Sequence, residues 1–196
     1  MQHRLILNYL KMKIKLLLLT GSLIALASAP VFGGTLSFSG TTTGGNLFNR
    51  PTEAADSLSD VGTAVPYLFQ AFTVGTTGNY NFTTIAGAPA SYDTFVHLYS
   101  GSFNAAFPLL NLVSANDDLV GGNSNAGSGF VNQPLTSGNP YVYVINGFGN
   151  SDFGSFSSSI TGPGSIAAVP EPSTIAIAGL ALGGFVLIRR RHPSIA

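Results

Sequence analysis

Four oxygen-bearing side chains in the middle of the chain have the types needed to bind a metal ion. Asn116, Asp117 and Asp118 are consecutive in a glycine-rich loop, and Asp93 precedes an alternating apolar run upstream. Calcium prefers hard oxygen ligands, and turn carbonyls can complete its six to eight contacts. The same residues are also common turn formers whose side chains bond to nearby backbone amides. The sequence leaves both interpretations open, a calcium cofactor and a set of structural turns.

Two loop aromatics form a second candidate site. Phe148 and Phe153 lie in the segment GFGNSDFG, among turn-forming residues. Exposed aromatic rings can stack on carbohydrate, which makes this loop a candidate ligand-binding site. Core packing is the alternative for most of the 14 Phe and 7 Tyr side chains, and the chain has no Trp to favour sugar stacking.

Catalytic constellations are scarce. His97 is the one histidine outside the terminal segments, and its alternation with Phe95 and Tyr99 favours a structural role. The chain has no Cys, and it shows no nucleophile elbow, P-loop or dinucleotide-binding fingerprint. The sequence therefore predicts a protein that is not an enzyme.

Charge is segregated along the chain. Between Thr35 and Ala168 one basic side chain, Arg50, stands against seven acidic ones, which gives this part a net charge of −6. An acidic body repels phosphate backbones, so nucleic acid is not expected as a partner.

The first 33 residues have the anatomy of a secretory signal peptide. Lysines after Met12 precede a leucine-rich run that ends in Ala27-Ser28-Ala29, an A-x-A cleavage pattern. Met12 is a second candidate for the true start of the chain. A buried N-terminal helix is the alternative, which the lack of a polar face disfavours.

The C-terminus has three parts in a fixed order. A motif of Val169, Pro170, Glu171, Pro172 and Ser173 is followed by an uncharged apolar run over residues 174–188 and then by Arg189, Arg190 and Arg191. As a helix the run would span about 22 Å, short of a bilayer core of about 30 Å. The arginines are typical of a cytoplasmic end that stops translocation.

These three parts together resemble the PEP-CTERM sorting signal. The resemblance implies export across the inner membrane, a transient anchor in that membrane, and processing by signal peptidase and by the membrane transpeptidase exosortase. Taken together with the scarcity of catalytic residues, it predicts a non-catalytic protein of the cell surface or extracellular matrix, associated with exopolysaccharide, biofilm or other envelope components. A surface module that binds a glycan or protein is the alternative function, and a simple tail anchor is the alternative role for the apolar run.

The region between the two terminal signals predicts an all-β fold. Short alternating runs are separated by Gly, Asn and Asp clusters, and about seven strands are expected from TLSFSGTT, YLFQAFTV, NYNFTTI, TFVHLYS, SGFVNQPL, YVYVING and GSFSSSITG. This pattern is typical of an antiparallel two-layer β-sandwich or jelly roll. In the last run, Phe156 and Ile160 are expected to face the core and the serines to face outward. We expect the domain at residues 34–164, a spacer at 165–168 and the sorting signal at 169–196, with a signal helix and a short transmembrane helix on either side.

Part of this body carries a further resemblance. Gly78-Asn-Tyr-Asn-Phe, Tyr92-Asp93-Thr94, Asn116-Asp117-Asp118 and Gly138-Asn-Pro-Tyr141 follow one another in an order similar to bacterial pre-peptidase C-terminal domains. The resemblance implies a secreted accessory β-sandwich, with calcium binding or surface attachment in some members.

Overall fold

The structure, a computed structural model, describes residues 33–119 and 127–170 of the 196-residue chain. These residues contain eleven strands and no helix, which confirms the predicted all-β sandwich. The strands are β1 (Gly34–Thr41), β2 (Leu47–Phe48), β3 (Val65–Pro66), β4 (Leu68–Val74), β5 (Gly78–Ala86), β6 (Thr94–Ser100), β7 (Leu112–Asn116), β8 (Ser128–Leu135), β9 (Pro140–Gly147), β10 (Ser155–Gly162) and β11 (Ile166–Ala168).

Two antiparallel sheets build the sandwich. The four-stranded sheet has the order β1-β10-β5-β8, and the five-stranded sheet has the order β11-β4-β9-β6-β7. Strict alternation sets the register of the first sheet, because a shift of one residue would move Leu36 and Phe38 out of the core and expose them. In β5, Tyr80 and Phe82 are buried while Asn79 and Asn81 are exposed, as the alternation predicts.

The main core lies between the two sheets. Phe72, Leu98 and Tyr143 from the five-stranded sheet pack in one cluster with Phe82 and Ile160 from the other sheet. A chain of buried hydroxyls crosses this core, because Thr84 Oγ1 lies 2.9 Å from Tyr143 Oη and 2.7 Å from Ser158 Oγ. Each of these three hydroxyls therefore has a hydrogen-bond partner, which is the condition for tolerating it in an apolar interior.

The five-stranded sheet is also covered on its outer face. Residues 42–66, here called the strap, lie over it and place Phe48 and Val65 against Tyr99, Val142 and Val144. The central strands β6 and β9 are consequently buried on both faces, so nearly every side chain in them is buried, the polar ones included. The sequence did not predict this third layer.

Apart from the strap with its two short strands, β2 and β3, three details differ from the sequence-based expectations. Strand β7 was not predicted, since LVSAN is short and half-exposed. Ser158 was expected to face outward with the other serines of its strand, but it is 5% exposed and points into the core, where Thr84 is its partner. Residues 166–168, assigned to a spacer, form strand β11, because their backbone pairs with the edge of β4.

Several predicted elements lie outside the described residues. They are the signal peptide before Gly33, the apolar run at 174–188 and the arginines at 189–191. Among the residues that the structure describes, no helix is long and apolar enough to cross a bilayer.

Candidate functional site

Strand pairing brings three of the predicted metal ligands together. Asp93 directly precedes β6, while Asp117 and Asp118 directly follow β7, the antiparallel neighbour of β6. One ligand oxygen from each of the three carboxylates lies within 4.8 Å of the others. Oxygens bound to one calcium ion at 2.3–2.6 Å can be at most about 5 Å apart, so the spacing suits a shared cation.

Buried oxygens without hydrogen-bond partners accompany this cluster. Asp93 Oδ1, Asn116 Oδ1 and Asp117 Oδ1 are inaccessible to solvent, and no donor among the described residues reaches them. Unpaired buried acceptors cost free energy, so they indicate a position where a cation or a donor belongs.

Electrostatics at the cluster disfavour three ionised carboxylates. Burial, followed by the charges of Asp93 and Asp118, raises the pKa of Asp117 from 3.8 to about 7. Burial and the charge of Asp118 also raise the pKa of Asp93. A bound cation would reverse these effects, because it stabilises the charged form of each carboxylate.

The strap holds Arg50 beside the acidic cluster. The side chain is 3% exposed, and it donates from Nε to the Phe148 carbonyl at 2.8 Å and from Nη1 to the Pro51 carbonyl at 3.1 Å. Its positive charge lowers the pKa values of Asp93 and Asp117, which counteracts part of their mutual repulsion. The Phe148 amide in turn donates to the Asp93 carbonyl at 3.0 Å, so strap, loop and cluster form one connected unit.

His97, on the outer face of β6, contacts the strap through Pro51. It is fully buried, with Nδ1 3.0 Å from Asn146 Oδ1 and Nε2 3.3 Å from the Pro51 carbonyl oxygen. Burial lowers the pKa of His97 from 6.5 to about 3, so the ring is neutral at physiological pH. Its contacts position the strap over the sheet.

The two aromatic candidates occupy different environments. Phe148 is half-buried, with its ring centroid 4.9 Å from the Arg50 guanidinium carbon. Phe153 is 41% exposed. Both lie in the loop after β9, which begins beside Asp93 because Gly147 pairs with Thr94.

Sequence reasoning overlooked the strap as a part of the site. Arg50 precedes the region of pre-peptidase resemblance, and so does Glu53, whose charge raises the pKa of Asp117. One signal was present. Arg50 is the sole basic residue in a long acidic segment, and such a residue is expected near the acids it can compensate.

The last described residues join the sandwich to the predicted sorting motif. Val169 donates its amide to the Ala71 carbonyl at 2.8 Å, and Pro170 follows without an N–H to continue the pairing. Comparison with protein families shows that residues 168–191 match the PEP-CTERM protein-sorting motif. The chain carries a PEP-CTERM sorting signal. This signal implies export, anchoring in the membrane before sorting to the cell surface, and processing by exosortase.

The match covers the sorting signal alone. No curated protein matches the chain. The similarity of the sandwich to pre-peptidase C-terminal domains therefore stays a prediction. Glu171, Pro172 and Ser173 complete the motif but lie, with the three arginines, outside the described residues.

Proposed function

We propose that this protein is an exported, exosortase-sorted, non-catalytic β-sandwich that is displayed at the cell surface or in an exopolysaccharide matrix. The observation that carries the proposal is the PEP-CTERM match at residues 168–191, which begins at the final residue of the last strand of the sandwich. The folded domain is thus the cargo, and the signal decides its location.

The environment of the polar side chains supports a non-catalytic role. His97 is inaccessible, and both of its ring nitrogens face protein oxygens. The Arg50 guanidinium is engaged with two backbone carbonyls. A general acid or base must reach a substrate proton, and neither side chain is placed to do so.

Calcium is the cofactor that we propose for the acidic cluster. The converging carboxylates of Asp93, Asp117 and Asp118 support it, together with the unpartnered amide oxygen of Asn116. Oxygen-only ligands in a partly buried loop favour calcium over softer metals. The ion would tie the loop after β7 to the start of β6, which stiffens this end of the domain.

A second candidate function is binding of a surface glycan or protein at this same end. The exposed ring of Phe153 favours it, since it is available to a partner and lies in the loop that starts beside Asp93. Loss of glycan-array binding in a Phe153→Ala variant would support this function. A wild-type protein that binds no glycan and no envelope component would contradict it.

The experiment that tests the main proposal is the intact mass of the protein isolated from its native host. We expect loss of the segment before about Gly34 and of the tail beyond the PEP motif. A mature protein that retains the tail to Ala196 would contradict exosortase processing and indicate a permanent anchor.

A further inference from the structure

Strand β11 and the sorting motif overlap. Ile166, Ala167 and Ala168 pair with Val74, Thr73 and Phe72 of β4. Two backbone bonds of 2.8 Å flank the pairing, from Gly75 N to the Ser165 oxygen and from Val169 N to the Ala71 oxygen. The PEP-CTERM match starts at residue 168, so its first residue is the last residue of β11, and its second, Val169, is hydrogen-bonded to the edge of β4.

This pairing restricts how far the motif can reach. Four residues, 170–173, separate the last sheet hydrogen bond from the apolar run, and fully extended they span about 13 Å. If β11 leaves the sheet, the free segment grows to nine residues, 165–173, with a reach of about 30 Å. A domain held by four residues alone would stand directly against the membrane and any enzyme in it.

The backbone hydrogen bonds of β11 also limit access to the sorting motif. Enzymes and receptors that bind extended peptides use the main-chain N–H and C=O groups of the peptide. The Val169 amide is already bonded to Ala71, so an enzyme that engages the start of the motif competes with β4.

The strand is suited to separation. It is three residues long, it lies at the edge of its sheet, and Ala167 and Ala168 are exposed. Ile166 alone packs against the core. Edge elements with few buried contacts open locally far more often than the whole domain unfolds.

We propose that exosortase processes the chain only after β11 has separated from β4, so that this edge pairing controls the rate of processing. The inference rests on the proposed function, because it requires that the tail is an exosortase substrate. The pairing of Ile166 to Val169 with β4 restrains the start of the motif and takes no part in the reaction itself.

A disulfide lock tests the inference. Thr73 and Ala167 are directly opposite. The pairs two residues to either side, Ser165–Gly75 and Val169–Ala71, are joined by backbone hydrogen bonds. Hydrogen-bonded pairs alternate along an antiparallel ladder, so Thr73 and Ala167 also form one, with Cα atoms about 5.5 Å apart. That distance suits a disulfide. The chain has no native Cys, so a Thr73→Cys/Ala167→Cys variant can form just this bond.

The full-length precursor is accumulated in host cells that lack active exosortase, oxidised, and mixed in detergent with membranes that contain the enzyme. We expect the oxidised double variant to be processed at least about tenfold more slowly than wild type, with dithiothreitol restoring the rate. The two single-cysteine variants and reductant-treated wild type are the controls. Thiol labelling measures the fraction that is locked.

The opposite change gives an independent readout. Ala167→Pro removes a donor at β11 outside the matched motif and should accelerate processing, whereas Ala167→Ser keeps the donor and should not. Wild-type precursor that is never processed would overturn the proposed function. Processed wild type with equal rates in the locked and Ala167→Pro variants would overturn the present inference alone.

Discussion

The guanidinium carbon of Arg50 lies 3.9 Å from the ring centroid of Phe95. Phe95 projects from the outer face of β6, so this contact seats the charged side chain of the strap directly on the five-stranded sheet. A cation over an aromatic face is favourable when both groups are desolvated, and Arg50 is 3% exposed. The strap is therefore joined to the five-stranded sheet beside the acidic cluster, and Arg50 contacts the sheet while its charge acts on the cluster.

The calcium proposal predicts a stability gain that depends on Asp117. At a concentration 100 times the dissociation constant, calcium should stabilise the fold by about 2.7 kcal/mol. We expect the melting temperature to rise by several degrees in millimolar calcium relative to EDTA, and Asp117→Ala to abolish the rise. Asp60→Ala removes an exposed acid of the strap and should retain the gain. No shift in the wild type would exclude a calcium site.

Without metal, the same carboxylate makes stability depend on pH. The folded pKa of Asp117, about 7, lies above the ordinary 3.8, so the folded state binds more protons between these values. Stability therefore falls as pH rises from about 4 to 7. In EDTA, Asp117→Asn should match wild type near pH 4 and melt several degrees higher at pH 8. If the melting temperatures of the two proteins changed equally with pH across this range, the buried, unpaired state of Asp117 would be contradicted.

His97 has the opposite pH dependence. Its folded pKa of about 3 lies below the ordinary 6.5, so its contribution to stability is complete above pH 6.5 and is lost as pH falls toward 3. We expect the ring signals of His97 in NMR spectra to show no protonation down to about pH 4. His97→Gln identifies the signals by their loss, and it should lower stability at pH 8 while weakening the acid dependence. Titration near pH 6.5 in the folded protein would show that the ring is solvated.

The loss of unfolding free energy caused by a mutation should increase with the burial of the mutated side chain. Phe82→Ala removes a ring that is fully buried between the sheets and should cost about 3–5 kcal/mol in urea denaturation. Tyr143→Phe deletes one end of the buried hydroxyl chain and should cost about 1 kcal/mol, because Thr84 keeps Ser158 as a partner. Phe107→Ala, at a residue that is 65% exposed, should stay within about 0.5 kcal/mol. Equal effects at Phe82 and Phe107 would contradict the predicted layering.

Seven of the strands could be predicted from period-two alternation, because a side chain in a strand has two choices of face and burial selects one. The prediction failed where that selection is weak. The strand LVSAN is half-exposed, β11 is three residues long, and Ser158 is a polar residue on an inward face. A local pattern carries no information about the partner that makes such a position favourable.

The sequence by itself determined the location signal and the strand-rich class of the domain. The PEP-CTERM match depends on contiguous residues in a fixed order, which need no folding to be recognised. Only the tertiary structure decided that Asp93 meets Asp117 and Asp118, that Arg50 returns from the strap to the same end, and that Val169 is bonded to Ala71. These relationships join residues far apart along the chain, and strand order and register, which are set by the packing of the whole core, bring them into contact.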